Sequence, residues 1–311
     1  MAVVFGEREA RSARWLGLKP ALTKVLLFAP INAAIRPISR YLMPRSIGSR
    51  MPLNLPRISY RLTCGDAITL LDASRDLAVR DMWWGGGVPS SAADARVLRL
   101  VERLCRDADT FADIGAYSGM FAVIAARANP SIRCYAYEIV PENYQLMLEN
   151  VLENDLLSQI SCRLLGLGGE PGSIRIPKRL GLASNASSLN IGSSFSSGAT
   201  IPITTLDEQA SAWTGRLAMK IDVEGFELEV LSGGRATLDR LRPDIICEVL
   251  PETRPATVAS LQSLLAERGY AFFQSRDEGF VRSAEIAPCV AGKDWLFSTR
   301  DDIEELIGSV G

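Results

Sequence analysis

The chain has 311 residues, 47% of them apolar and 23% charged, with 34 Lys and Arg against 36 Asp and Glu for a net charge of −2; that is enough for a large core without disulfide staples. It contains no histidine, which excludes Ser-His-Asp and Cys-His nucleophile systems, His-based zinc sites and any imidazole base. The near-neutral balance lacks the basic surplus of a nucleic-acid binder, so no nucleic acid is expected as a partner.

The charge is uneven. Residues 1–50 hold seven Arg and two Lys against Glu7 and Glu9, so this segment is +7 and the rest of the chain −9. The apolar run Ala21–Ile35 is interrupted by Lys24 and Pro30 and is too short to span a bilayer. Residues 1–55 are therefore expected as a basic N-terminal extension, and 56–311 as one domain. The extension reads either as a solvated segment packing on its own domain or as a peripheral membrane or protein contact. The six cysteines form no C-x-x-C pair and are expected to be free thiols in a reducing, cytoplasmic compartment.

From Ile58 the pattern becomes domain-like. Ile58–Thr63 and Ala67–Leu71 are predicted strands joined at Cys64-Gly65-Asp66. Met82-Trp83-Trp84-Gly85-Gly86-Gly87 follows, either a wall for an acceptor ring or a loop anchored by buried indoles. Ala92–Cys105 carries Val97, Leu98, Val101 and Leu104 on one helical face. Strands and helices then alternate. Thr110–Ile114 is a strand, and Gly119–Ala128 a helix turning Phe121, Ile124, Ala125 and Ala128 inward. Arg133–Tyr137 is a strand, Pro141–Glu153 a proline-opened helix, and Ile160–Leu165 a strand. Gly181–Thr200, with seven serines and three glycines, is expected as a surface loop or a lid over an acceptor site. Beyond it come strand Leu217–Ile221, helix Glu227–Leu231, strand Asp244–Val249, helix Pro255–Arg268, and strands Tyr270–Phe273 and Trp295–Ser298. This alternation predicts an α/β fold with a mainly parallel sheet covered on both faces.

In such a sheet ligands bind beyond the carboxyl ends of the strands. Phe111-Ala112-Asp113-Ile114-Gly115-Ala116-Tyr117-Ser118-Gly119 ends the first strand of the alternation and opens a helix. Its G-x-x-x-G spacing does not meet the dinucleotide fingerprint, and Asp113 suits a cationic ligand better than a diphosphate. Glu138, ending the next strand, can accept hydrogen bonds from ribose hydroxyls. Lys220-Ile221-Asp222-Val223-Glu224-Gly225-Phe226-Glu227 crowds carboxylates and a lysine onto the same edge, although Glu224 and Glu227 also suit a helix N-terminus. Glu248 joins this rim from the strand Asp244–Val249.

These motifs, taken with Pro141-Glu142-Asn143, Pro202-Ile203-Thr204-Thr205-Leu206-Asp207 and Arg242-Pro243-Asp244, make residues 60–300 resemble the FkbM family of S-adenosylmethionine (SAM)-dependent methyltransferases. The resemblance implies a Rossmann-like class I methyltransferase fold with a seven-stranded sheet, SAM as cofactor, and O-methylation of a hydroxyl on a sugar, glycan or natural product. Carried over by position, Asp113 and Gly115 would contact the methionine part, Glu138 the ribose, and Leu165-Gly166 would border the adenine. Ala116, Ser118, Gly119 and Asn143 are the further cofactor-binding candidates, and Asp222 would face the transfer centre.

An acceptor hydroxyl must lose a proton, and without histidine a carboxylate or a desolvated lysine must take it. Asp222 and Glu224 are the candidate bases, with Lys220 either tuning them or binding the acceptor. No metal site is assigned; an ion on Asp222, Glu248 and a neighbour is the lesser alternative. The rival functions are a nicotinamide-dependent oxidoreductase on a similar sheet and a non-catalytic interaction module.

Overall fold

The computed structural model describes residues 31, 34, 36, 55–72, 76–89, 91–176, 198–290 and 292–310. Almost all of the expected N-terminal extension and most of the serine-rich segment lie outside the described residues. Among the described residues, no helix is long and apolar enough to cross a membrane. The chain divides into two compact units, Met1–Ile58 with Asp72–Ser90, and Ser59–Leu71 with Ser91–Gly311.

In the first unit, the aromatic-glycine stretch, expected as either an acceptor wall or a loop anchored by indoles, ends a helix, Leu77–Trp84 (α1). Asp76 opens it by accepting a hydrogen bond from the Val79 amide at 3.0 Å, the role short polar side chains play at helix starts. Trp83 and Trp84 are both buried, edge to face with ring centroids 4.6 Å apart. Arg36 donates to the Trp83 carbonyl at 3.0 Å and lies 4.8 Å from its ring centroid. Burial of both indoles fits the packing alternative for this stretch.

Arg57–Arg61 (β1) and Ala67–Leu71 (β2) pair as a two-stranded sheet, and from Ser59 onward this hairpin belongs to the second unit. Helix Ala92–Cys105 (α2) supplies the buried Glu102, whose carboxylate accepts from the Thr63 and Cys64 amides at 2.9 and 3.0 Å and pairs with Arg106 at 2.8 Å. These bonds pin the hairpin turn. The outer edge of β2 is satisfied by side chains of helix Pro141–Glu153 (α4) and the residue after it. Asn150 accepts from the Leu71 amide at 2.7 Å, and Asn154 both accepts from and donates to the Thr69 backbone.

The main sheet contains Thr110–Ile114 (β3), Arg133–Glu138 (β4), Ile160–Leu164 (β5), Leu217–Ile221 (β9), Asp244–Glu248 (β10), Ala271–Arg276 (β11), Gly279–Ser283 (β12) and Asp294–Ser298 (β13). Its order is β12-β11-β13-β10-β9-β3-β4-β5, so the expected seven strands become eight. The additional strand, β12, forms a hairpin with β11; its glycine-flanked, half-polar sequence carries no apolar run. β3, β4, β5, β9 and β10 pair in parallel, while β13 runs antiparallel to β10 and β11. Every residue of β3, β9, β10 and β13 is buried, as expected for strands covered on both faces.

The predicted third strand stops one residue early. After Leu165 the chain leaves the sheet as Gly166–Leu167 (β6), which joins Gly172–Ile176 (β7) and Ala199–Thr204 (β8) in a separate three-stranded sheet ordered β6-β8-β7. Helix Met120–Ala128 (α3) is buried over most of its surface, but Phe121 and Ala128 are only partly so. Phe121 lies beside Lys220, with the ammonium 5.7 Å from its ring centroid. The remaining helices are Leu206–Gln209 (α5), Glu227–Ser232 (α6), Arg235–Leu241 (α7), Pro255–Ala266 (α8) and Ile303–Gly308 (α9). Of the six cysteines, all free, Cys105, Cys134 and Cys247 are buried.

Candidate active site

The order of connection reverses between β3 and β9: β4 and β5 follow β3 on one side, while β10 follows β9 on the other. In open α/β sheets this switch point opens a crevice beyond the strand ends. Its two walls are the turns after Ile114 and after Ile221, and the two turns are locked together. The Asp222 amide donates to the Ile114 carbonyl at 2.9 Å. Gly115 has φ 81°, and a β-carbon there would lie 1.8 Å from the Asp222 carbonyl oxygen. The missing side chain at this position thus makes room for the neighbouring turn.

The first turn has little left to offer a phosphate. The Gly115 and Ala116 amides both donate to the Tyr137 carbonyl, at 3.0 and 2.9 Å, and Gly119 donates to Ala116 at 2.7 Å. The Tyr117 amide donates to the Glu138 carboxylate at 2.8 Å. Tyr117 is left-handed at φ 50°, and Gly119, also left-handed, caps α3. The buried Ser118 accepts, through its carbonyl, a 2.8 Å bond from Asn150, so one asparagine holds both this turn and β2. Asp113 is buried, and its carboxylate accepts from the Ala122 amide at 3.0 Å, closing the first turn of α3. Burial raises its pKa to about 7.

Glu138, 5% exposed, accepts from Tyr117 on one oxygen and from Ile139 and Val140, at 2.8 and 2.7 Å, on the other. A carboxylate has about four acceptor positions, so one remains, on the oxygen facing Tyr117. Burial, with the charge of Asp222 adding to it, raises the Glu138 pKa to about 7 against the pull of these amides. Asn143 lies in the first turn of α4 and is buried. Gly166 is buried in β6, where a β-carbon would press on Ile139 and Ile203 at 3.1 and 3.2 Å; its neighbour Leu165 is partly exposed.

The second wall holds most of the charge. Lys220 is 2% exposed, with its ammonium 3.3 Å from Asp222 and 3.7 Å from Asp294. Burial pushes its pKa down, but Asp222, then Asp294 and Glu248, outweigh that and keep it charged. Its ammonium is thus directed to Asp222 and Asp294. The Asp222 side chain is 35% exposed. Burial opposes its ionisation, yet Lys220, Lys293 and a hydrogen bond from Glu248 hold its carboxyl below the ordinary range. Glu248 is pushed the other way, up to about 8, by burial and by the charge on Asp222. Glu224 stands left-handed at φ 56°, a costly backbone for a residue with a β-carbon. The carboxylates of Asp222, Glu224 and Glu248 lie within 4.8 Å of one another. With Lys220 on Asp222 and a close Lys293 contact on Glu248, they form an ion-pair network. Glu227 lies beneath, 2% exposed, accepts from the Gly225 amide at 2.9 Å, and is raised by burial to about 7.

Lys293 and Asp294 escaped the sequence reading because they precede the apolar run Trp295–Ser298 and belong to no motif. The antiparallel register Glu248↔Asp294 brings them to the site. The i, i+4 spacing of Asn150, in the last turn of α4, and Asn154, which caps it, was the available signal for the β2 contacts.

Fold and site together define a Rossmann-like α/β protein of the class I methyltransferase type. The chain belongs to the FkbM methyltransferase family: residues 113–272 match the Methyltransferase FkbM domain. Among solved structures it is similar to methyltransferase FkbM from Methylobacillus flagellatus KT, at 16% identity and a TM-score of 0.42, covering 73% of this chain and 56% of that one. It is also similar to the O-methyltransferase from Bacillus cereus in complex with SAH, at 12% identity and a TM-score of 0.37, covering 65% of this chain and 78% of that one. The O-methyltransferase TomG from Streptomyces achromogenes in complex with SAM gives 14% identity and a TM-score of 0.38, covering 65% and 77%. No curated protein matches the sequence.

Proposed function

We propose that this chain is a SAM-dependent O-methyltransferase whose acceptor is a hydroxyl of a sugar, glycan or other natural product. The carrying observation is the chemistry of the crevice: its first turn has engaged the amides that would cradle a diphosphate, while its rim presents Glu138, Asp222 and Glu224. A dinucleotide with two phosphates meets repulsion there, whereas a ligand with a ribose diol and a cationic sulfonium and ammonium is matched. This disfavours the nicotinamide alternative, and the charged, partly exposed Asp222 disfavours a module without chemistry.

On this reading, the free acceptor position of Glu138 takes a ribose hydroxyl, with Leu165 bordering the adenine side. Once bound, SAM would supply an electrophilic methyl group on a sulfonium, whose sulfur would leave as a neutral thioether. The hydroxyl proton is left for the protein to remove. Asp222 is the better placed of the two candidate bases, being ionised and partly exposed at the strand end. Lys220 behind it holds that ionised form, and Glu224 lines the same rim.

Calorimetric titration with SAM, SAH and NAD tests the proposal. Micromolar binding of SAM and SAH without NAD binding is expected, and preference for NAD would reverse it. Screening sugars and glycans for transfer of labelled methyl then tests the acceptor class.

A further inference from the structure

Phe121 stands in the first turn of α3, two residues beyond the glycine that caps the helix. Its neighbours Met120, Ala122 and Val123 are buried, yet this large apolar side chain stays partly exposed. Two contacts fix its place. Asp113 accepts from the Ala122 amide at 3.0 Å and so ties this turn of α3 to the end of β3. Asp113 is also the register partner of Lys220 in the parallel β3–β9 pair, which puts both side chains on one face of the sheet. The Phe121 ring lies over the Lys220 ammonium, 5.7 Å from it, and that ammonium is 3.3 Å from Asp222 Oδ2. Together the two distances cap the separation of the ring centre from that oxygen at about 9 Å. One face of the ring meets the cation, and the other is free of it.

We propose that Phe121 is an acceptor-binding residue: its free face stacks on the C–H face of a sugar ring whose hydroxyl is bonded to Asp222. This deepens the methyltransferase reading above and rests on it. A hydroxyl bonded to Asp222 stands about 2.7 Å from it, and a ring packed on an aromatic side chain keeps its centre about 4.5–7 Å from the aromatic centroid. One six-membered ring carrying the hydroxyl therefore reaches both residues at once. A phenyl face has no hydrogen-bonding group, so it holds the ring in line for transfer without competing for its hydroxyls. The tryptophans that suit such a wall by sequence, Trp83 and Trp84, are buried. The site thus selects a cyclic, hydroxylated acceptor with one apolar face.

The test is saturation-transfer NMR on the SAH complex, in which acceptor binds without turnover. The probes are methyl β-D-galactopyranoside and methyl α-L-rhamnopyranoside, with the acyclic alditol D-sorbitol as control. The wild type should bind a glycoside and not sorbitol. Phe121→Leu keeps the apolar bulk but loses the aromatic face, and should weaken glycoside binding about 2–12-fold, the range such ring contacts carry, while SAH affinity holds. Phe121→Tyr should restore it. Phe121→Met replaces the leucine variant if that fails to fold. Glycoside binding by folded Phe121→Leu equal to the wild type, a loss in Phe121→Tyr as large as in Phe121→Leu, or sorbitol binding as strong as the glycosides overturns the proposal. SAH titration of the same samples separates the two failures. A wild type that does not bind SAH removes the methyltransferase reading and the role of Phe121 with it. A wild type that binds SAH but neither glycoside removes the role of Phe121 alone.

Discussion

A β-carbon on Gly115 would stand 1.8 Å from the carbonyl oxygen of Asp222, so the proposed cofactor turn and the proposed base turn touch as backbone against backbone. Neither can shift without the other. Gly115→Ala must displace the β9 turn and also hold an alanine at φ 81°, which alone costs about 1–3 kcal/mol. Its urea midpoint is expected to fall accordingly, with SAH binding weakened. A midpoint equal to the wild type would show that the turns are not coupled.

Asp222→Asn keeps size and shape but cannot take a proton. It is expected to bind SAH within a few-fold of the wild type and to lose about 10²–10⁴-fold in turnover, the usual worth of a positioned base. Turnover at the wild-type rate would move the role of base to Glu224.

Four buried carboxyls make stability depend on pH. Asp113, Glu138 and Glu227 are raised to about 7 and Glu248 to about 8, above ordinary values of 3.8 for Asp and 4.5 for Glu. The folded state thus binds protons that the unfolded chain has released. Their contribution is whole below pH 4 and is lost as pH rises through 7–8. Unfolding free energy should decline between pH 5 and 8. Glu227→Gln, which retains an oxygen for the Gly225 amide, should flatten that decline by up to ~3 kcal/mol. Denaturation curves at pH 5, 6.5 and 8 measure it, and equal slopes for the two proteins would refute the assignment.

Asn150 and Asn154 separate stability from function. Asn150→Ala orphans the Leu71 amide and the Ser118 carbonyl, whereas Asn154→Ala frees the Thr69 backbone. Each should cost about 1–3 kcal/mol. Asn150→Ala should also weaken SAH binding, since Ser118 belongs to the proposed cofactor turn, while Asn154→Ala should leave it unchanged. Equal SAH affinities in the two variants would show that the Asn150 tether does not organise the turn.

Most of the main sheet could be read from the residues, because strands buried on both faces, such as Thr110–Ile114 and Leu217–Ile221, appear as mainly apolar runs between helix signals. β12 and the three-stranded sheet could not. Gly279–Ser283 and Gly172–Ile176 bury a single residue between them, Ile176, and strands with so little buried surface are defined by partners instead of by hydrophobicity. The site divides in the same way. Asp113, Glu138, Asp222 and Glu248 end strands and are found by looking there, but the work done by each depends on contacts. Asp113 caps α3, and Gly115 yields to a carbonyl. Lys293 becomes visible once β13 is known to run antiparallel beside β10.

That placement of β13 also bears on how the protein is made. β10, β11 and β12 leave the ribosome before β13, yet β13 lies between β10 and β11. Until it arrives, the edge of β10 is unpaired and the β11–β12 hairpin has no place in the sheet. The same strand brings Lys293 and Asp294. A nascent chain ending before Lys293 therefore already carries Lys220, Asp222 and Glu248, but lacks both the strand between β10 and β11 and the last two charges of the network.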